Sequence, residues 1–292
     1  MQAARRRFLQ YLPAALTLTA LDCQRTARRI VDKNAPRRIV SLSPSTTEIL
    51  FAVGAGPWVV GRSRFCDYPA EAVALPVVSG FVDANLEAIV RLSPDLVVGA
   101  RGPAGPELAQ KLASLGIATF FPPAQSMAQI ESAISEIAAR VDAVDRGMAV
   151  VTAMRVHAKA IAAAVVAEPR VRALLVFGLT PIVVAGPESF PNEMLQLAHA
   201  ENVMREGGAY PAVNAETLIT LDPDVVIDGA ATGTGRDAGA IDGDAPGWRE
   251  LRAVRQGRVA VLSDEAALRP GPRTADGIAS LARLLHPNVI IP

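Results

Sequence analysis

Short apolar runs alternate with helical periodicity along most of the chain. From residue 38 onward, continuous apolar runs typical of buried strands are followed by segments in which apolar residues recur at helical spacing. The predicted strands cover residues 39–42, 58–61, 96–99, 117–121, 173–177, 225–228 and 258–262, and the predicted helices cover 45–53, 86–92, 106–115, 127–141, 190–199, 215–221 and 275–285. Ser45 and Glu48 have the spacing of a capping box. This alternation predicts parallel sheets with helices on both faces.

One segment of fourteen residues occurs twice. Residues 85–98 read NLEAIVRLSPDLVV and residues 214–227 read NAETLITLDPDVVI, in the same register. Each copy predicts a short helix that begins after an N-cap asparagine, Asn85 or Asn214, followed by a Leu-x-Pro-Asp turn and a buried strand. The repeat therefore predicts two similar lobes.

Each copy of the repeat also places a glutamate, Glu87 or Glu216, in the first helical turn. The helix dipole favours an acidic residue there, so one copy alone needs no functional explanation. Two equivalent carboxylates on related lobes would match a partner that has twofold symmetry and offers a basic group to each of them. The repetition thus indicates a pair of docking carboxylates.

The segment between the two halves has the pattern of a single helix. Residues 142–167 contain no proline and one glycine. Apolar residues recur there at helical spacing, namely Val144, Met148, Val151, Met154, Ile161 and Val165. At the usual rise per residue such a helix is about 39 Å long. A continuous helix predicts that the lobes move little relative to each other, in contrast to a flexible linker.

The first residues have the features of an export signal. A run of arginines at residues 5–7 resembles the twin-arginine pattern, and the apolar stretch that follows, residues 8–21, is too short to span a bilayer as a stable helix. Cys23 closes this stretch and is a candidate lipid-bearing cysteine, although Asp22 is a poor match to the small residue expected before it. Cleavage before Cys23 would turn the balance of 29 basic and 29 acidic residues slightly acidic.

Composition and motifs argue against several classes of function. Half of the 292 residues are apolar, enough for a substantial core, and the charge balance disfavours a nucleic-acid partner. The sequence contains no serine-hydrolase elbow, zinc-protease motif or P-loop, so no enzyme is predicted. His157, His199 and His286 lack the spacing of metal ligands, and the acidic stretch 228–247 lacks the calcium-loop pattern. Cys66 is expected to be a half-buried free thiol.

Four segments carry a resemblance to a known family. The segments are residues 38–44 (RIVSLSP), the motif Cys66-Asp67-Tyr68-Pro69, residues 85–95 and residues 186–202. They resemble the helical-backbone, or class III, periplasmic substrate-binding proteins of ABC importers, and within that class the cobalamin-binding branch. The resemblance extends over nearly the whole chain from residue 37 to the C-terminal helix.

The resemblance implies an α/β fold of two Rossmann-like lobes with central sheets, joined by one long backbone helix, with a ligand cleft between the lobes. The expected domains are an export signal at 1–23, an N-terminal lobe at 37–141, an inter-lobe helix at 142–168 and a C-terminal lobe at 169–292. It further implies an exported receptor, in the periplasm or on the outer face of the cytoplasmic membrane. Such a receptor binds cobalamin or a related corrinoid and has no cofactor of its own.

The family also implies a partner. The receptor is expected to be a monomer when free and to deliver its ligand to a homodimeric ABC permease with its ATPase. In this family a glutamate from each lobe docks onto permease arginines, and the matching positions in this sequence are Glu87 and Glu216.

The resemblance places a ligand pocket in the cleft. Its expected residues are Phe65, Tyr68, Phe81, Arg101, Val183, Tyr210, Asp264 and Arg269. A corrinoid calls for aromatic faces and some hydrogen-bonding groups. Cobalamin receptors tend to carry tryptophan where this chain has Phe81, Ala100 and Tyr210, and a related corrinoid therefore stays among the candidates.

Two other ligand classes of the same fold stay open. Haem would need an axial ligand, for which Tyr68 is the candidate. A ferric siderophore is commonly anionic and would need clustered arginines. The candidates for such a cluster are Arg62, Arg64, Arg101, Arg269 and Arg273.

Overall fold

The computed structural model describes residues 35–80, 84–101, 105–231 and 240–292. These residues form two α/β lobes with central, mostly parallel sheets, and the expected fold class is confirmed. The predicted export signal at 1–23, with Cys23, lies outside the described residues, and so does part of the acidic stretch 228–247.

The N-terminal lobe is built on a purely parallel sheet. It contains strands β1 (Ile39–Ser41), β2 (Val59–Ser63), β3 (Val77–Ser79), β4 (Leu96–Val98) and β5 (Ala118–Phe120), and helices α1 (Pro44–Ala52), α2 (Leu86–Arg91), α3 (Gly105–Ser114) and α4 (Met127–Arg140). The strand order is β3-β2-β1-β4-β5. Strand β4 is buried along its whole length, as expected for an inner strand of a sheet that is covered on both faces.

Helix α5 (Val144–Val165) leads into the C-terminal lobe, whose sheet is mixed. This lobe contains strands β6 (Val171–Leu179), β7 (Ile182–Val184), β8 (Ala200–Asn202), β9 (Ala212–Val213), β10 (Val225–Asp228) and β11 (Val259–Val261), and helices α6 (Phe190–Leu197), α7 (Ala215–Leu221), α8 (Arg252–Arg255) and α9 (Thr274–Leu285). The order is β11-β10-β6-β7-β9, and β8 also pairs with β6. Strands β7 and β9 are antiparallel to their neighbours. The sequence pattern missed β3 in the N-terminal lobe and β7, β8 and β9 in this one.

Helix α1 begins differently from its prediction. Ser43, rather than Ser45, is the N-cap, and its side-chain oxygen accepts a hydrogen bond from the amide of Thr46 at 3.4 Å. Pro44 occupies the first helical turn, where its missing N–H needs no partner. The predicted capping box of Ser45 and Glu48 is therefore wrong, and the Glu48 carboxylate has partners on the other lobe instead.

Helix α5 is a single unbroken helix between the sheets. Four of the six apolar residues used to predict it are buried, whereas Val144 and Met148 are exposed. The helix packs against α4 of the N-terminal lobe and α9 of the C-terminal lobe. By length and composition alone it could cross a membrane. Its contacts with both lobes are those of a helix within a globular protein.

The two copies of the repeat fold alike. Asn85 accepts a hydrogen bond from the amide three residues later at 2.9 Å, and Asn214 does the same at 2.9 Å. Both predicted N-caps are confirmed. After each helix the chain turns through a residue with positive φ, 46° at Ser93 and 33° at Asp222, which occupy the same position of the repeat. The repeated sequence thus specifies a repeated backbone.

An arginine at the start of the neighbouring strand, or just before it, closes each repeat. Arg38, before β1, donates from Nη2 to the carbonyl oxygen of Leu92 at 2.6 Å. Arg172, in β6, donates from Nη2 to the carbonyl oxygen of Leu221 at 2.9 Å. These bonds satisfy carbonyl groups that a helix end leaves without partners. In each lobe the aspartate of the Pro-Asp turn accepts a hydrogen bond from the amide of the same arginine.

Candidate ligand cleft and docking surface

The two lobes contact each other through loops at the carboxyl ends of their parallel strands. In the N-terminal lobe the loop after β2 carries Asp67 and Tyr68, and in the C-terminal lobe the segment between β11 and α9 carries Arg269 and Arg273. Side chains from the two loops touch. Open α/β sheets bind ligands at this end of the strands. The region where these loops meet is therefore the candidate ligand site.

Glu48 of α1 anchors the contact between the lobes. Its side chain is 2 % exposed. It accepts hydrogen bonds from Arg273 Nε at 2.9 Å and Nη2 at 2.7 Å, and from Arg269 Nη1 at 3.3 Å. The hydrogen bonds to Glu48 raise the pKa of the Arg273 guanidinium above its ordinary value. A buried carboxylate is tolerated only when it is paired, so these bonds fix the position of one lobe against the other.

Asp67 pairs with Arg269 at the more solvent-exposed end of this contact. Its side chain is 49 % exposed and accepts hydrogen bonds from Arg269 Nη1 at 2.6 Å and Nη2 at 3.1 Å. These hydrogen bonds keep the pKa of Asp67 below its ordinary value. Arg269 and Arg273 thus face the carboxylates of Glu48 and Asp67, and the formal charges of these four side chains cancel.

Tyr68 lies beside this charged network. The guanidinium carbon of Arg273 is 4.0 Å from the centroid of the Tyr68 ring, within the range of a cation–π contact. The tyrosine is nevertheless 47 % exposed. The expected pocket residues Tyr68 and Arg269, from different lobes, thus belong to the same network. The first contacts Arg273, and the second binds Asp67.

Val183 and Tyr210 form a second group, within the C-terminal lobe. Val183 on β7 pairs with Ala212 on β9, two residues after Tyr210. The Tyr210 ring meets the Phe177 ring edge-on, with the centroids 5.5 Å apart. Tyr210 is 43 % exposed, and its partial burial raises its pKa to about 12, so its phenol stays neutral near pH 7. Phe177 was predicted only as the last residue of a strand, and its ring contact has no signal in the local sequence.

A close approach of two loops positions Tyr210. The amide of Gly186 donates to the carbonyl oxygen of Ala209 at 2.9 Å. A Cβ atom at position 186 would lie 2.1 Å from the carbonyl oxygen of Gly208, much closer than atoms approach. Gly208 itself has a φ of 82°, a conformation in which glycine carries no steric penalty. A side chain at position 186 would therefore displace the loop that carries Tyr210.

The other expected pocket residues have different surroundings. Phe65 is half-buried and lies under the guanidinium of its neighbour, 5.1 Å from the ring centroid. Arg101 is exposed beyond the end of β4. Asp264 Oδ1 accepts a hydrogen bond from the amide two residues later at 2.9 Å and caps a 3-10 turn, and its Oδ2 accepts one from the Ser280 hydroxyl at 2.6 Å. Phe81 lies outside the described residues.

Arg62, a candidate for binding an anion, is buried and bonds to the backbone. Its Nη1 donates to the carbonyl oxygen of Ser63 at 3.0 Å, and its Nη2 donates to that of Val73 at 2.8 Å. These bonds tie together the two ends of the loop that carries Asp67 and Tyr68. Together with Arg269 and Arg273, three of the five arginines considered for a siderophore are therefore engaged within the protein.

Sequence reasoning missed Glu48 and Asp67 as site residues. Glu48 was assigned to a helix cap, and Asp67 was used only as part of the Cys-Asp-Tyr-Pro motif. One signal was available. Two arginines four residues apart in one loop, Arg269 and Arg273, predict nearby carboxylates when the loop is not at the surface.

The two glutamates that are expected to dock onto the permease lie on exposed helix faces. The Glu87 side chain is 82 % exposed and accepts a hydrogen bond from Arg91 Nη2 at 2.7 Å. Glu216 is exposed, and no ion pair involves its carboxylate within the described part of the chain. Three residues later, on the same face of each helix, Val90 and Ile219 are also exposed. Each lobe therefore offers a carboxylate next to an apolar side chain.

Cys66 is fully buried, rather than half-buried as expected, and is a free thiol. Its sulfur lies 3.3 Å from the hydroxyl oxygen of Ser63. The His199 and His286 rings lie 6.3 Å apart, and His286 Nε2 is 3.0 Å from a backbone carbonyl oxygen. Among residues 35–80, 84–101, 105–231 and 240–292, no three or more His, Cys, Asp and Glu side chains are grouped so as to hold a metal ion.

The fold and the cleft define a two-lobed solute receptor, and comparison with known proteins agrees with this class. The sequence profile described as "Periplasmic binding protein" matches residues 39–266. The chain belongs to this family. It is a substrate-binding protein of an ABC transporter, and it acts outside the cytoplasm.

Individual relatives differ in the ligand that their names record. The vitamin B12-binding protein of Vibrio parahaemolyticus is 31% identical over 82% of this chain and 86% of its own length. The uncharacterized ABC transporter substrate-binding lipoprotein YvrC of Bacillus subtilis is 30% identical over 88% of this chain and 82% of its own length. The solved structure of a periplasmic heme-binding protein from Pseudomonas aeruginosa superposes with a TM-score of 0.76 and 28% identity, and the match covers 87% of this chain and 94% of that one.

Proposed function

We propose that the protein binds cobalamin or a related corrinoid between its lobes and delivers it to a homodimeric ABC permease with its ATPase. Sequence similarity to a vitamin B12-binding protein supports the ligand class. The observation that carries the choice is the charge balance of the cleft, where Glu48 and Asp67 neutralise Arg269 and Arg273.

The charge balance favours a corrinoid because of what each ligand presents to the protein. The rim of cobalamin carries amide groups, which need hydrogen-bonding partners rather than counter-ions. Haem carries two propionates, and ferric siderophores are commonly anionic, so both would gain most from arginines that are not already paired. Phe177 and Tyr210 add a neutral aromatic surface, which suits the flat faces of a large ligand.

Delivery would use the two exposed carboxylates. Glu87 and Glu216 occupy the same position of the repeated module, one on each lobe. Two charges held apart on one rigid body fix the orientation of an encounter and raise its rate. Ligand release would follow docking, driven by the ATPase of the permease.

Haem is the second candidate, and one observation favours it. Tyr68 is 47 % exposed beside the inter-lobe network, where a phenol could reach an iron atom. Similarity to a heme-binding structure supports the same alternative. Haem bound in this way would show the absorption of a tyrosinate-ligated iron, and Tyr68→Phe would abolish it.

Titration of the purified protein with cyanocobalamin, cobinamide, haemin and a ferric siderophore tests the proposal. We expect one corrinoid molecule per protein, with an affinity at least about tenfold higher than that for haemin or the siderophore. Tyr68→Phe separates the two candidates, because it removes the phenol that would ligate haem iron and keeps the aromatic ring that a corrinoid would contact. Tighter binding of haemin with a tyrosinate spectrum would overturn the corrinoid assignment in favour of haem.

A further inference from the structure

The charged network between the lobes has a buried half and an accessible half. Glu48 is buried and bonds to both Arg269 and Arg273, so it serves the contact between the lobes. Asp67 is half-exposed, on a loop rather than a helix, and it bonds to Arg269 through both carboxylate oxygens. Loss of the Asp67 charge would leave the pair of Glu48 and Arg273 in place.

The Asp67 carboxylate occupies the planar donor face of Arg269. A guanidinium binds a carboxylate best through two parallel N–H donors, and Asp67 takes Nη1 and Nη2 in this way. The arginine side chain is 13 % exposed against 49 % for the aspartate, so the aspartate is the more accessible member of the pair. A ligand carboxylate that entered beside Tyr68 would need the donors that Asp67 already holds.

We infer that Asp67 determines the charge class of the ligand. Asp67 fills, from within the protein, the position that a carboxylate of an anionic ligand would take on Arg269. Its own charge repels such a ligand as well. The cleft then accepts ligands that present amides and other neutral groups, and it discriminates against haem propionates and anionic iron chelates. This inference rests on the proposed function in taking the inter-lobe cleft as the ligand site.

Asp67→Asn tests the inference, because it removes the charge and keeps the size of the side chain. The probes are haemin, haemin dimethyl ester, in which both carboxylates are esterified, and cyanocobalamin. We expect Asp67→Asn to bind haemin at least about fivefold more tightly than the unsubstituted protein, a larger gain than for either of the other two probes. Asp145→Asn, at an exposed position of α5, makes the same change in net charge and should alter none of the three.

A double variant assigns the gain to Arg269. Asp67→Asn combined with Arg269→Gln should bind haemin no more tightly than Arg269→Gln alone, because the guanidinium that would receive a propionate is gone. Thermal melting of each variant checks that it is folded. The inference is overturned if Asp67→Asn gains no affinity for haemin, if the ester gains as much, or if the gain persists in the double variant. Failure of cyanocobalamin to bind the unsubstituted protein would instead count against the corrinoid function, and the haemin comparison would still test Asp67.

Discussion

In the N-terminal copy of the repeat, Arg91 lies one turn after Glu87 and donates to its carboxylate at 2.7 Å. In the C-terminal copy the matching residue is Thr220, whose hydroxyl donates to the backbone carbonyl of Glu216 at 3.0 Å. The two backbones are nevertheless alike, with the same asparagine cap and the same left-handed turn. The asparagine cap and the turn therefore specify the backbone of each repeat, and the residue at the fourth position after the glutamate specifies how far the charge of the glutamate is neutralised.

The closing arginines differ in the same way. Arg38 is exposed, whereas Arg172 is half-buried. The hydrogen bond that Arg172 donates to the helix end is therefore less accessible to water than that of Arg38. In the C-terminal copy a further arginine, Arg252, donates to Asp224 at 2.6 Å. The C-terminal copy of the repeat thus has a second arginine side chain bonded at its turn. Among the residues that the structure describes, its glutamate has no arginine partner like that of the N-terminal glutamate.

Removal of both carboxylates should have the largest effect. Glu87→Ala with Glu216→Ala is expected to lower ligand uptake through the permease by at least about tenfold, because both oriented charge pairs are lost. Ligand affinity, measured by titration, should not change. Of the single variants, Glu216→Ala should cost more, because Glu87 already shares its charge with Arg91. Glu206→Ala, also exposed, is the control, and a parallel fall in ligand affinity would contradict the docking role.

The closing arginines should rank next. Arg172→Ala should destabilise the protein by about 1–3 kcal/mol, and Arg38→Ala by about 0.5–1 kcal/mol, because a helix-end carbonyl without a partner costs more where water does not reach it. Urea denaturation of both variants measures the difference. Equal losses would mean that the two modules are held with equal strength.

The smallest effect on docking should come from exchanging Arg91 and Thr220, the residues four positions after Glu87 and Glu216. Arg91→Thr gives the N-terminal copy the residue of the C-terminal one, and Thr220→Arg does the reverse. An exposed pair at this spacing is worth about 0.3–0.5 kcal/mol, so Arg91→Thr should raise docking affinity about twofold and Thr220→Arg should lower it by a similar factor. The measurement is the affinity of the receptor for the permease at low salt, where such charges are least screened. Changes of the opposite sign would show that Arg91 itself contacts the permease.

The sequence predicted those parts of the fold that depend on local patterns. The N-caps Asn85 and Asn214, the strand at the end of each repeat and the helix between the lobes all have signals within a few residues. Of the apolar residues that predicted α5, Val144 and Met148 are exposed, because spacing alone does not tell where along a helix its packing partners begin.

The centre of the candidate site could not be predicted in this way. Glu48 and Arg273 are 225 residues apart in the chain and come together only when both lobes have folded. Within its own helix, Glu48 fits the pattern of a capping residue, and the local preference was outweighed by two guanidinium groups from the other lobe. Phe177 and Tyr210 meet through the same kind of distant contact.

Glu48 also limits how wide the cleft can open. Because both of its guanidinium partners belong to the opposite lobe, a movement that separates the lobes must break all three hydrogen bonds of this one carboxylate together. A single side chain therefore makes the spacing of the lobes an all-or-none property.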